Sequence, residues 1–126
     1  MEAVIWIVGA AFAGMGVVAL ARPQFIMDYF DVKLTADGRN EVRAVYGGMG
    51  LALGAALFWA TQNHRYSAGI IMAMAIALGG MAAGRAISAT MEKPGKWPTV
   101  FFVIELASAI ALYLAIPKGA GFNLSF

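Results

Sequence analysis

Four charged side chains lie within or at the ends of long apolar segments of this sequence: Glu41, Arg43, Arg85 and Glu105. A charge inside a bilayer costs about 2.5–3.5 kcal/mol by insertion scales, so such residues pair with one another or serve a function. Two carboxylates and two guanidinium groups can hold the polar head of a lipophilic molecule, lock helices together through salt bridges, or relay a proton. These four residues are the core of the candidate site.

Three uncharged polar residues extend the candidate site at helical spacing. Tyr46, Ser88 and Ser108 follow Arg43, Arg85 and Glu105 by three positions each, which places them on the same helical faces. Each Ser can equally be a small residue that permits close helix packing, and Tyr46 can be an interfacial anchor. Glu41 has a structural alternative too, because the macrodipole favours an acid in the first turn of a helix.

The composition is that of an integral membrane protein. Of the 126 residues, 61% are hydrophobic and only 13% are charged, whereas a soluble domain carries about a quarter charged residues. The mean hydropathy is +0.74. A soluble monomer and a disordered chain are therefore excluded. The basic residues stand at the ends of apolar runs, so the net charge of +2 indicates membrane topology and not nucleic-acid binding.

Four apolar segments are each long enough to cross a membrane, because about 20 helical residues span a hydrocarbon core of about 30 Å. No segment alternates with the period of a barrel strand. We predict an all-α integral membrane four-helix bundle, a single domain over residues 1–126. Its helices are predicted at approximately residues 3–21, 40–62, 66–90 and 98–117.

The first apolar segment could instead be a signal peptide, because Ala19-Leu20-Ala21 is typical of a cleavage site. The residues before it include Glu2 and contain no Lys or Arg. A signal peptide begins with basic residues, so the pattern favours a retained helix.

A short interfacial helix is predicted after the first span, over residues 24–34. One face of this segment is apolar and aromatic and the other is polar, as in a helix that lies in the membrane interface. The alternative is a loop that packs its aromatic side chains on the bundle. We expect Thr35-Ala36-Asp37-Gly38 to end this helix and Asp37 or Asn40 to cap the next one.

The distribution of Lys and Arg predicts the orientation. With four spans both termini share a side, and that side holds Arg65 and Lys118. The opposite side holds Arg22, Lys33, Arg39, Lys93 and Lys96. The positive-inside rule therefore places the long loop and the Pro94 turn in the cytoplasm and both termini outside, although dual topology stays open.

This topology brings the charged residues to the cytoplasmic leaflet, where the second helix begins, the third ends and the fourth begins. We expect both Arg43 and Arg85 to lie within salt-bridge reach of Glu41 or Glu105.

Glycines predict close helix packing. Gly50-x-x-x-Gly54 and Gly80-x-x-x-Gly84 are small-x-x-x-small faces, Gly47 extends the first, and Ala10-x-x-x-Gly14 is a weaker face of the first helix. Packing within the chain is favoured over dimerisation.

Several kinds of chemistry are not supported. The chain has no Cys and one His, His64, which has no acidic neighbour, so no metal site is predicted. Gly47-Gly48-x-Gly50 lies in an apolar helix and lacks the Lys and Ser/Thr of a phosphate-binding loop. We predict no catalytic residues and no cofactor.

Three ordered motifs resemble a known family: E-x-R-x-x-Y-G-G over residues 41–48, G-x-x-x-G-R-x-x-S over residues 80–88, and Glu105-Leu106. They are similar to small four-helix bacterial membrane proteins known as a domain of unknown function and grouped loosely with DoxX-like proteins. The positions that match the motifs are Glu41, Arg43, Tyr46, Gly47, Gly48, Gly84, Arg85, Ser88 and Glu105. The resemblance covers nearly the whole chain and implies a bacterial inner-membrane location, but no activity. This chain has Glu92-Lys93 before Pro94, where family members often place Asp-Gly.

The leading functional hypothesis is a non-enzymatic membrane protein whose Glu/Arg cluster binds a lipophilic ligand or a partner membrane subunit. The partners would be membrane lipids, a lipophilic small molecule, a second copy or another subunit, and no nucleic acid. One alternative is an enzyme that acts on a lipid or quinone with Glu105 as the acid/base. The other is a small transporter that protonates Glu105. A purely structural cluster also stays open.

Overall fold

The computed structural model describes residues 2–118, and all regular structure in that range is helical. The elements are α1 (Glu2–Ala21), α2 (Pro23–Asp28), α3 (Ala36–Val42), a π-helix (Arg43–Gly48), α4 (Met49–Gln62), α5 (His64–Met91) and α6 (Lys96–Leu114). Because α3, the π-helix and α4 are continuous, four helical segments are long and apolar enough to cross a membrane. The predicted all-α, four-span fold is confirmed.

The bundle consists of two helical hairpins. Close backbone contacts join α1 to the second span and α5 to α6. The main apolar core lies at one end of the bundle, and its fully buried side chains are Leu57, Ile71 and Leu112. A smaller core of Ala19, Met27 and Val42 lies at the other end, near the long loop.

The second span begins earlier than the sequence predicts. Thr35 caps α3 by accepting a hydrogen bond from the Gly38 amide at 3.2 Å, so the helix starts at Ala36. We expected Thr35-Ala36-Asp37-Gly38 to break a helix and Asp37 or Asn40 to cap one, which is wrong. Thr is one of the residue types preferred at the N-cap, because its hydroxyl oxygen accepts a hydrogen bond from an amide of the first helical turn.

The segment after α1 contains a helix, but a shorter one than predicted. It ends at Asp28, and Asp31 adopts a left-handed backbone conformation with φ of 57°, which no helix can continue through. The side chain of Gln24 then replaces the missing helical bonds. Its Nε2 donates to the Val32 carbonyl at 2.8 Å, and its Oε1 accepts from the Leu34 amide at 2.9 Å.

The other boundaries differ from the predictions by a few residues. The third span runs from His64 to Met91 and the fourth from Lys96 to Leu114, with Pro94-Gly95 in the turn between them. Pro98 falls in the first turn of α6, where a missing amide proton breaks no helical bond.

Candidate functional site

Arg85 and Glu105 form a bidentate ion pair between α5 and α6. The Nε of Arg85 donates to Oε2 of Glu105 at 2.7 Å, and Nη2 donates to Oε1 at 2.9 Å. The side chain of Glu105 is 6% exposed and that of Arg85 is 28% exposed. The two helices are antiparallel neighbours, and each residue lies two to three turns from the Glu92–Gly95 connection, so the pair meets at one depth.

Two aromatic rings cover the guanidinium group of Arg85. Its Cζ lies 5.6 Å from the ring centroid of Phe101 and 5.7 Å from that of Phe30, within range of cation–π attraction. Phe101 precedes Glu105 by one helical turn, so the same face of α6 supplies both the carboxylate and a ring. Phe30 comes from the loop after α2.

The loop after α2 is fixed against α6 by further aromatic contacts. The ring of Tyr29 lies 4.8 Å from that of Trp97 at an interplanar angle of 83°, and 6.4 Å from that of Phe101. Phe30 lies 5.4 Å from Phe101. The aromatic face predicted for residues 24–34 therefore packs on the bundle and positions Phe30 over Arg85.

Tyr46 lies on the second span, at the end of the bundle that holds the small core. It packs against the same small core as Phe30, whose ring lies over Arg85. It is half-buried, and its ring packs against the core of Ala19, Met27 and Val42. Tyr46 stands in the π-helix, a feature that is frequent at functional sites and that the sequence pattern did not reveal.

Two polar atoms of this site make no hydrogen bond to the described residues: Nη1 of Arg85 and the hydroxyl of Tyr46. The other guanidinium nitrogens of Arg85 are bound to Glu105. No side-chain nitrogen or oxygen that is fully buried in residues 2–118 lacks a partner. Both unpaired atoms are therefore not fully buried.

Arg43 and Glu41 are not part of the ion pair, contrary to the prediction. Arg43 donates from Nε to the Leu20 carbonyl at 3.1 Å. Within residues 2–118, the Arg85–Glu105 pair is the one salt bridge. The side chains of Glu41 and Arg43 are both exposed, because these residues precede the apolar part of the second span, where water and head groups are available.

Ser88 and Ser108 make no side-chain hydrogen bond to the described part of the chain. Ser88 is exposed and Ser108 is half-buried. Neither residue contributes a contact to the ion pair, although each lies one turn from one of its members.

The glycines of the second span pack against α1. A Cβ added at Gly54 would lie 2.8 Å from the Gly9 carbonyl, one at Gly50 would lie 3.1 Å from the Phe12 carbonyl, and one at Gly47 would lie 2.8 Å from Leu20. At Gly16 of α1 an added Cβ would lie 2.7 Å from the Leu51 amide. The sequence missed Gly9 and Gly16 as the packing positions of α1.

The other glycine faces are not packed within the described chain. An added Cβ at Gly14, Gly80 or Gly84 would meet no atom within 4 Å. The prediction that Gly80 and Gly84 pack within the bundle, and that Gly14 marks the face of α1, is therefore wrong. Small residues occur on several faces of these helices, and the rotation of each helix decides which of them is used.

No group in residues 2–118 brings together three potential metal ligands from His, Cys, Asp and Glu. A surface depression of about 250 Å³ lies between Gln24, Asp28, Asp31, Val32 and Lys33 on the loop after α2. Two of the lining side chains are hydrogen-bonded to each other, since Nε2 of Gln24 donates to Oδ1 of Asp28 at 2.7 Å.

The four apolar spans define the class of this chain as a multi-pass membrane protein. It belongs to the family described as a domain of unknown function, DUF4345, whose model matches residues 1–116. No curated protein and no solved structure matches the chain.

Proposed function

We propose that the chain is a non-enzymatic membrane protein of the bacterial inner membrane, grouped with DoxX-like proteins, that binds a lipophilic ligand beside the Arg85–Glu105 pair. The observation that supports this proposal is that two polar atoms, Nη1 of Arg85 and the hydroxyl of Tyr46, make no hydrogen bond to the described residues and are not fully buried. The positive-inside rule places this end of the bundle in the cytoplasmic leaflet, with both termini outside.

Charge balance indicates what kind of head group fits the site. Glu105 already neutralises Arg85 through two hydrogen bonds, so a second anion would add an uncompensated charge in a medium of low dielectric constant. A neutral oxygen acceptor, such as an ester or ketone carbonyl, can accept from Nη1 without that cost. The rings of Phe30 and Phe101 would pack on the apolar part of the ligand.

The contacts of Glu105 weigh against the enzyme and transporter alternatives. Both of its oxygens accept hydrogen bonds from Arg85, and its side chain is 6% exposed. A general acid or a proton carrier must exchange its proton with substrate or water, and this carboxylate is occupied and covered. A partner subunit could supply the carbonyl group in place of a small molecule.

Native mass spectrometry of gently extracted protein tests this proposal. We expect the wild-type protein to carry a neutral lipophilic adduct or a partner subunit. Tyr46→Phe removes only the hydroxyl and should reduce adduct occupancy severalfold. The matched control is Tyr113→Phe on the exposed face of α6, which should retain the adduct. Bare wild-type monomer, or equal occupancy in both variants, would contradict the proposal.

A further inference from the structure

Arg43 carries a positive charge that no acidic side chain of the described chain neutralises. Its Nε donates to the Leu20 carbonyl at 3.1 Å, which is a neutral acceptor. Neither Nη atom makes a hydrogen bond to residues 2–118, and the side chain is exposed. Glu41 lies two positions earlier, and residues at that spacing point to different sides of a helix.

A second unneutralised arginine stands at the same corner of the bundle. Arg22 follows Leu20 by two positions, directly after the end of α1, and its amide donates to the Val18 carbonyl at 2.7 Å. Its side chain is exposed and makes no hydrogen bond or salt bridge within the described chain. Because Arg43 is bonded to the Leu20 carbonyl, its guanidinium group lies beside the end of α1, and Arg22 follows Leu20 by two positions.

The depth of this corner matches that of lipid phosphate groups. The apolar residues 3–21 end immediately before Arg22, and the apolar residues 44–62 begin immediately after Arg43. Each run spans about 28 Å as a helix, close to the hydrocarbon thickness of about 30 Å. Both arginines therefore fall just outside the hydrocarbon core.

We propose that Arg22 and Arg43 together bind the phosphate group of an anionic phospholipid in the membrane leaflet at their end of the bundle. A guanidinium group presents paired N–H donors that match phosphate oxygens, and two unneutralised guanidinium groups at head-group depth suit a negatively charged ligand. Neither arginine makes a hydrogen bond or salt bridge to the Arg85–Glu105 pair in the described chain, and that pair is already neutral. The ligand of the two arginines is an anionic lipid, whereas the ligand of the ion-pair site is uncharged.

Lipid titration followed by native mass spectrometry tests this site, with phosphatidylglycerol compared with phosphatidylcholine of the same acyl chains. We expect preferential binding of phosphatidylglycerol, weakened about fivefold in Arg22→Gln and again in Arg43→Gln, from about 1 kcal/mol per basic residue near an anionic surface. Added salt should weaken it further. Arg65→Gln, at the opposite end of the bundle, is the matched control and should bind as the wild type does.

Arg22→Gln keeps the test decisive if Arg43→Gln fails to fold, because the Arg22 side chain is exposed and makes no hydrogen bond or salt bridge in the described chain. Equal binding of the two lipids, or equal affinity of Arg22→Gln and Arg65→Gln, would overturn the proposal. Inorganic phosphate at millimolar concentration should not displace the lipid. Displacement would show a site for the free ion and would also overturn the proposal.

Discussion

The two hairpins of the bundle are held together by different means. In the first, α1 and the second span approach so closely that an added Cβ at Gly16 or Gly54 would lie within 2.8 Å of backbone atoms. In the second, α5 and α6 share the Arg85–Glu105 pair, while Gly80 and Gly84 have no neighbour within 4 Å of an added Cβ in the described chain.

The difference shows what membrane helices need in order to associate. Lipid tails are as apolar as the helix surfaces, so the hydrophobic effect does not drive association, and close packing or polar contacts must do so. The first hairpin uses backbone proximity over most of its length. The second uses a single charged contact near its turn together with the apolar core at its far end.

The ion pair should be the most sensitive point of the second hairpin. Arg85→Leu leaves the carboxylate of Glu105 buried without a partner, and we expect a loss of about 3–5 kcal/mol in the free energy of unfolding. Denaturant titration in mixed micelles, followed by circular dichroism, measures this loss. Arg65→Leu is the control. A loss below about 1 kcal/mol would show that Glu105 is solvated. The double variant with Leu at both Arg85 and Glu105, which removes both charges, should recover much of the stability.

The first hairpin should break at its glycines. Gly54→Ala puts a methyl group 2.8 Å from the Gly9 carbonyl and 3.0 Å from the Ala13 amide, backbone atoms that cannot rotate away. We expect a loss of about 1–3 kcal/mol, the usual cost of overpacking. The same titration measures it, with Gly69→Ala as the control, because an added Cβ there meets nothing within 4 Å. Equal stability of the two variants would refute close packing of α1 on α4.

The aromatic cover of Arg85 should contribute less than the ion pair itself. Phe30→Leu keeps an apolar side chain in the loop but removes one of the two rings over the guanidinium group. We expect a loss of about 0.5–1 kcal/mol, the range of a partly exposed cation–π contact. Phe25→Leu serves as the control, because Phe25 is half-exposed and contacts Tyr29 but not Arg85. A larger loss for Phe25→Leu would show that loop packing matters more than the cation–π contact.

The exposed glycine face of α5 should give the smallest effect. Gly84→Ala meets no atom within 4 Å and replaces a poor helix former with a good one. We expect unchanged stability or a gain of up to about 1 kcal/mol. A clear loss, accompanied by a change in oligomeric mass on size exclusion with light scattering, would reveal that this face packs against a second copy.

The sequence by itself determined the class of protein and the depth of each residue along its helix axis. The apolar run lengths set the four spans, and Pro94-Gly95 marked the turn that makes α5 and α6 antiparallel. The expectation that Arg85 meets Glu41 or Glu105 followed from these facts, because opposite charges at similar depth on adjoining helices have few other partners in a bilayer. The structure selected Glu105.

Only the tertiary structure decided how each helix is rotated about its axis. The spans are apolar all round, so no hydrophobic stripe indicates which face points inward, and glycines occur on more than one face. Rotation selected Gly9 and Gly16 over Gly14, left Gly80 and Gly84 unpacked, and directed Arg43 to the Leu20 carbonyl. The π-helix also affects rotation in the second span. Because its turn is wider than that of an α-helix, the side chains before it point in directions other than those that an unbroken α-helix would give them.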